Sequence, residues 1–153
     1  MEVDDVQPAG NQPWRWPAPA VGVGGGVMAV PELAGALAAL TQAELAERPA
    51  ERFLLAHLAA LRVAAVVLAC RASGGAGRAR PRDVWQLLAE TAPEYAEWAG
   101  FFAASALKRE AVRAGAVAMV SAREADDLLR DVGIFHDRVA RRLSPAPARR
   151  EVS

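Results

Sequence analysis

The 153-residue sequence lacks, or has few of, the residues and motifs that would assign it to a particular class of protein. Its single cysteine, Cys70, cannot form an internal disulfide, so a reducing cytoplasm is the expected compartment. The 18 basic and 18 acidic side chains cancel, so no net field draws the chain toward nucleic acid or anionic lipid. Phosphate-binding glycine loops, nucleophile triads and zinc-finger spacings are also missing. We therefore expect no metal and no other cofactor, and any nucleic-acid binding must depend on a local patch.

One apolar run, residues 53–70, is long enough to raise the question of a membrane span. Arg62 lies near its centre, and an arginine in that position costs about 3 kcal/mol on insertion scales. The first residues, MEVDD, are acidic where a signal peptide needs positive charge. We therefore interpret the run as a buried helix of a bundle and expect no membrane association.

The two ends of the sequence lack the periodicity of a folded element. Residues 1–30 are rich in proline and glycine, and residues 144–153 are similar. We expect both to be disordered tails and place the folded domain in residues 31–143. Trp14 and Trp16 in the first tail could form a docking motif, or the tail could have no role.

Five segments between these ends have apolar side chains at the three- and four-residue spacings of a helix, and none alternates as a strand does. A glycine-rich linker at 73–77 separates the second and third segments, and a capping box opens the last one. The predicted helices begin near Pro31, Pro49, Pro81, Glu94 and Ser121. The pattern predicts an all-α fold, an antiparallel bundle of four to five helices.

The last predicted helix carries the most suggestive polar pair, Arg130 and His136. Six positions apart on a regular helix, they lie about 9 Å apart along the axis and about 120° apart around it, so they cannot touch. A substrate or a second copy of the chain could bring them together, or Gly133 could let the backbone bend. Together they could cleave RNA without metal, because an imidazole can move the proton of the ribose 2′-hydroxyl and a guanidinium can hold the phosphate. The structural alternative is an exposed Asp126–Arg130 ion pair beside a half-buried histidine.

Two further sets of residues are weaker candidates. Arg52 and His57 repeat the arginine-to-histidine pattern in the second helix, but His57 lies on the apolar side and is expected to be a hydrogen-bonded core residue. Four arginines around the glycine-rich linker could bind phosphates, or could simply be solvated. They are Arg71, Arg78, Arg80 and Arg82.

Three stretches of the sequence carry a family resemblance. They are ERFLLAHLAALRVAAVVLACRA, RPRDVWQLLAETAPEYAEWAGFFAASALKREAVRAG and VSAREADDLLRDVGIFHDRV. They resemble an actinobacterial family of HEPN domains, small helical domains named for higher eukaryotes and prokaryotes nucleotide-binding. The likeness spans about residues 35–143, and EYAEWAGFFAA and SAREADDLLRD are its most specific parts.

The resemblance implies a HEPN-like bundle of four or five helices that forms a homodimer. Many HEPN domains are metal-independent endoribonucleases of toxin–antitoxin, phage-defence or RNA-processing systems, and others are noncatalytic binding modules. The family's active motif is an arginine, commonly followed by a polar residue, and then a histidine after four to six intervening positions. Two protomers bring their motifs together in a cleft. Arg130, Asp131 and His136 match this motif.

The resemblance also implies roles and partners. His136 would be the general acid or base, Arg130 would clamp the phosphate, and Asp131 would orient one of them. The implied ligand is RNA or a nucleotide-like molecule, and an antitoxin or other protein is a further partner. The alternative function is a noncatalytic protein-interaction bundle that uses its aromatic helix and the tryptophans of its first tail.

Overall fold

The computed structural model describes the backbone of residues 25–71 and 83–143, and the side chains from residue 31 onward within these ranges. The helices are α1 (Gly25–Leu45), α2 (Pro49–Arg71), α3 (Val84–Thr91), α4 (Ala96–Arg113) and α5 (Ala122–Leu143), with 3₁₀ turns at Pro93–Tyr95 and Val117–Met119. No strand occurs in the two described ranges, and the predicted all-α fold is confirmed. Of the two predicted tails, residues 1–24 of the first and all of the second, 144–153, lie outside the described residues.

The first helix begins earlier than the sequence pattern predicts. Residues 25–30, assigned to the first tail, form the opening turns of α1, and Pro31 lies inside the helix. An interior proline loses one backbone hydrogen bond because it has no N–H, yet its fixed φ is close to the helical value. Pro31 therefore does not mark the start of the helix.

Successive long helices run in opposite directions, as predicted. Arg52 near the start of α2 pairs with Asp126 near the start of α5, so these two helices are parallel. Helix α4 is antiparallel to α5, because Lys108 near its end pairs with Glu124 at the start of α5. Helix α1 turns directly into α2 and packs along it.

Helix α2 lies at the centre of the bundle and packs against the four other α-helices. Within the described residues it is the one helix long and apolar enough to cross a membrane, but over half of its apolar window is buried inside the bundle. Its central charge, Arg62, donates a hydrogen bond to the carbonyl of Gly35 in α1 at 2.9 Å. The predicted role of residues 53–70 as a buried bundle helix agrees with this packing.

Aromatic rings join α4 and the 3₁₀ turn before it to α5. Phe135 of α5 is fully buried and lies 5.3 Å from the ring centre of Phe102, 5.6 Å from Trp98 and 5.7 Å from Tyr95. Ring pairs at these separations contribute about 0.5–1.5 kcal/mol each beyond the area they bury. This cluster fixes the rotation of α5 about its axis and therefore which of its side chains reach the surface.

Candidate active site

Helix α5 begins with the predicted capping box. The backbone N–H of Ser121 donates to Glu124 Oε2 at 2.8 Å, and the N–H of Glu124 donates to Ser121 Oγ at 3.1 Å. The ammonium of Lys108 also donates to the Glu124 carboxylate, and this hydrogen bond, with those from Ser121, lowers the pKa of Glu124 to about 2. The first turn of α5 is thereby fixed to α4.

Arg130 lies on the solvent side of α5, with 63% of its side chain exposed. Its Nη1 is 3.2 Å from Asp127 Oδ1, and its Nε is 3.6 Å from Asp131 Oδ1. The structural alternative named the wrong partner, because Asp126 accepts a hydrogen bond from Arg52 of α2 and Asp127 takes its place, but the exposed ion pair that it described is present. Asp131 thus lies where it can orient the arginine, which is one of the two roles predicted for it.

His136 lies at the edge of the core, with 11% of its side chain exposed. Its Nδ1 is 3.1 Å from Oδ1 of the exposed Asp137. Because a carboxylate accepts hydrogen bonds, this contact is a hydrogen bond in the tautomer that carries its proton on Nδ1, and Nε2 is the acceptor nitrogen of the ring in that tautomer.

Asp137 is a residue that the sequence pattern did not single out. Neighbours along a helix normally point in different directions, so spacing arguments look three or four positions away. The signal in the sequence was the type of residue, because a carboxylate, Asp137, directly follows the histidine of the motif. Asp131, the predicted orienting residue, contacts Arg130. The residue that contacts His136 is Asp137.

One copy of the chain does not bring Arg130 and His136 together. Helix α5 continues without a break through Gly133, so the geometry of a regular helix applies to the two residues. The two side chains therefore keep the separation of a regular helix, about 9 Å along the axis and about 120° around it. A site that uses both needs a large ligand or a second copy.

The second arginine-histidine pair is structural. His57 is 1% exposed, its Nε2 lies 3.4 Å from the carbonyl oxygen of Phe102, and its Nδ1 has no partner. Arg52 donates to the carbonyl of Ala46 at 2.7 Å and to Asp126, so it belongs to the corner between α1 and α2. The core role predicted for His57 agrees with this burial.

Of the four arginines proposed to bind phosphate, the structure describes Arg71; Arg78, Arg80 and Arg82 lie outside the described residues. Arg71 makes two hydrogen bonds to the carboxylate of Glu94, and this carboxylate lies 3.8 Å from Nη1 of Arg142. Beside them is a cavity of about 260 Å³ with apolar and basic walls. Arg71 is therefore already neutralised by a carboxylate within the fold.

The fold and the two motif residues define a small all-α domain whose last helix carries an exposed arginine and a carboxylate-bound histidine. A comparison with known protein families matches residues 43–140 to the SAV_6107-like HEPN domain. The match covers more than half of the chain, and the chain belongs to this family of HEPN domains. Arg130, Asp131 and His136 lie within the matched range. No curated protein and no solved structure matches the chain.

Proposed function

We propose that this HEPN domain binds RNA and cleaves it without a metal, using Arg130 and His136 of two copies of the chain. The observation that carries the proposal is the contact between the imidazole of His136 and the carboxylate of Asp137. Nδ1 of His136 lies 3.1 Å from Oδ1 of Asp137, an arrangement that suits an imidazole that transfers protons through Nε2. The matched family and the position of the motif on the last helix support it.

The chemistry follows from these groups. Nε2 of His136 takes the proton of a ribose 2′-hydroxyl, whose oxygen then attacks the adjacent phosphorus. The bond from phosphorus to the 5′-oxygen breaks, this oxygen takes a proton from water, and the imidazolium returns its proton to the solvent. The guanidinium of Arg130 holds the phosphate and its developing negative charge, and Asp131 orients the guanidinium. The products are a 2′,3′-cyclic phosphate and a 5′-hydroxyl end.

The test is cleavage of end-labelled RNA in the presence of EDTA by the full chain. We expect His136→Ala to reduce the cleavage rate by about 10²–10⁴-fold while RNA binding, measured by fluorescence anisotropy, changes little. His136→Asn, which keeps a donor near the position of Nδ1, serves as a second variant if alanine disturbs the fold. The cyclic phosphate end, detected by mass spectrometry, identifies the mechanism.

Arg123 provides a matched control for the arginine. It lies on the same helix, is 91% exposed and, like Arg130, has Asp127 as an ionic neighbour. We expect Arg130→Ala to weaken both RNA binding and cleavage, and Arg123→Ala to leave the cleavage rate within about threefold of the wild type. Equal and negligible cleavage by wild type and His136→Ala would remove the ribonuclease proposal.

A noncatalytic protein-interaction bundle is the second candidate. It is favoured by large apolar side chains that α4 leaves exposed, Phe101 and Leu107. The double variant Phe101→Ser, Leu107→Ser tests this candidate. The interaction bundle predicts that the variant no longer binds a protein partner, whereas the ribonuclease proposal predicts that it still cleaves RNA at the wild-type rate.

A further inference from the structure

A cavity of about 260 Å³ lies at the end of the bundle where α2 and α5 finish, beside the 3₁₀ turn at Pro93–Tyr95. Arg142 lines this cavity and follows Arg130 by twelve positions, which on a regular helix is about 18 Å along the axis and about 120° around it. A ligand in the cavity would therefore not occupy the proposed ribonuclease site.

The inner walls of the cavity are apolar. Val67 of α2 and Val139 of α5 are 4% and 1% exposed, and Leu143 lines the cavity with them. These side chains offer no hydrogen bond to a polar group. The part of a ligand that contacts them is therefore favoured if it is apolar, because its surface is then removed from water.

The rim of the cavity carries two guanidiniums and one carboxylate. Arg71 makes two hydrogen bonds to Glu94. Nη1 of Arg142 lies 3.8 Å from the same carboxylate, which is beyond hydrogen-bond distance, and the side chain of Arg142 is 64% exposed. Arg142 can therefore donate hydrogen bonds to a ligand without giving up one to Glu94, and the three side chains together carry a net charge of +1.

Tyr95 supplies a neutral donor beside these charges. Its side chain is buried, and its ring packs edge to face against Phe135 at 5.7 Å. Burial raises the pKa of Tyr95 and the positive charge of Arg142 only partly opposes this rise, so the hydroxyl stays protonated at neutral pH.

The surroundings of this hydroxyl also indicate where it lies. Arg142, Glu94 and Arg71 all act on its ionisation, which places it near the charges of the rim, and no hydrogen bond contributes. A buried tyrosine hydroxyl usually has a hydrogen-bond partner. A ligand at the rim would supply one.

We infer that this cavity binds a small organic carboxylate with an apolar body, such as an aromatic acid or a short-chain fatty acid. The carboxylate accepts hydrogen bonds from Arg142 and from the hydroxyl of Tyr95, and the apolar body contacts Val67 and Val139. This binding site is additional to the proposed ribonuclease activity and does not depend on it.

The charge of the rim favours a carboxylate over a phosphate. A carboxylate carries one negative charge, which matches the net charge of +1. A phosphate carries about −1.5 to −2 at neutral pH, and the ionised Glu94 beside Arg142 opposes the additional charge.

The volume of the cavity limits the size of the ligand. At about 30 Å³ per heavy atom, the share of a water molecule in the liquid, 260 Å³ holds about nine such atoms. This is the size of benzoate, whereas a whole nucleotide is far too large. We therefore choose 4-fluorobenzoate as the probe, because its acid group is ionised at neutral pH and its fluorine reports binding by ¹⁹F NMR.

Titration of the full chain with 4-fluorobenzoate at pH 7.5 tests the site. We expect a dissociation constant of about 1 mM or lower. The neutral isostere 4-fluorobenzamide should bind at least about tenfold more weakly, because it lacks the charge that Arg142 recognises. No binding of 4-fluorobenzoate up to about 10 mM would overturn the inference, and equal binding of the two probes would overturn the recognition of an anion.

Two arginine variants locate the binding. We expect Arg142→Gln to weaken binding of 4-fluorobenzoate about tenfold or more, since a charge-assisted hydrogen bond is lost. Arg141→Gln is the matched control, because Arg141 is the exposed neighbour of Arg142 on α5 and does not line the cavity. It should stay within about twofold of the wild type. Equal dissociation constants for the two variants would show that the probe binds elsewhere.

Tyr95→Phe tests the hydroxyl and keeps the ring that packs against Phe135. We expect it to weaken binding of 4-fluorobenzoate about fivefold, the effect of one neutral donor. Unchanged binding would contradict the role given to this hydroxyl.

The apolar part of the site is tested separately. Cys70 also lines the cavity, and Cys70→Phe should fill the space and abolish binding of the probe, with the fold checked by circular dichroism. In the wild type, inorganic phosphate at the concentration of the probe should not displace it. Displacement by phosphate would show that the site recognises charge alone and would overturn the apolar half of the inference.

Discussion

His57 is expected to make the stability of the domain depend on pH, because the fold surrounds its ring and offers almost no compensation for a charge. The carbonyl of Phe102 faces Nε2, and the indole of Trp85 meets the ring edge to face at 5.8 Å. Burial lowers the pKa of His57 to about 4, and the guanidinium of Arg109 acts in the same direction. The Phe102 carbonyl and the more distant Asp83 oppose this shift without reversing it.

The magnitude follows from the difference between the two pKa values of His57. In the unfolded chain the pKa is 6.5, and in the folded chain it is about 4. Since the folded state binds fewer protons, His57 opposes unfolding fully above pH 6.5, and this contribution is lost as the pH falls from 6.5 to about 4. The loss amounts to about 3 kcal/mol, a large part of the roughly 5–15 kcal/mol that stabilises a domain.

Urea unfolding at several pH values between 7.5 and 4 measures this loss. We expect His57→Leu, which fits the apolar seam and removes the unpartnered Nδ1, to lose about 3 kcal/mol less than the wild type across that range. His136→Asn in the same series removes the other histidine and isolates the effect of His57. Identical pH profiles for the wild type and His57→Leu would refute the idea that burial keeps His57 neutral.

Two further predictions concern stability, each measured by urea unfolding at pH 7.5. Ser121→Ala removes the hydroxyl that caps the N–H of Glu124 and should cost about 1 kcal/mol, whereas Ser105→Ala, in the middle of α4, should change the free energy of unfolding by less than about 0.5 kcal/mol. Phe135→Ala should cost about 3–5 kcal/mol because the ring is fully buried among other rings; a loss below about 1 kcal/mol would show that the cluster does not hold α5.

Local features of the fold could be predicted from the sequence because their causes are local. The capping box that opens α5 involves residues three apart, and the apolar spacing of residues 53–70 reports directly on the buried sides of α2. The start of α1 could not be placed in this way, since the sequence does not distinguish a proline inside a helix, as Pro31 is, from a proline in its first turn. Local signals therefore located the helices better than their ends.

The sequence motif named the residues of the candidate site, but the sequence did not predict which carboxylates contact them. The motif spacing identified Arg130 and His136, and helix geometry correctly separated them within one chain. The carboxylates around them depend on which rotamers the packed bundle allows, and spacing arguments do not resolve this. The structure accordingly assigns Asp137 to the histidine, and it assigns Asp126 to Arg52 of a different helix rather than to Arg130.

The two histidines of the chain show how burial divides structural from chemical roles. His57 is 1% exposed and packs against Trp85 of α3 and Phe102 of α4. It has no carboxylate in contact, so its ring can be charged only at the expense of folding. The side chain of His136 is 11% exposed, and its Nδ1 lies 3.1 Å from Oδ1 of Asp137. A histidine enclosed in the core contacts no ligand, whereas one at the edge of the bundle beside a carboxylate can. His136, and not His57, is therefore the histidine on which the proposed ribonuclease activity depends.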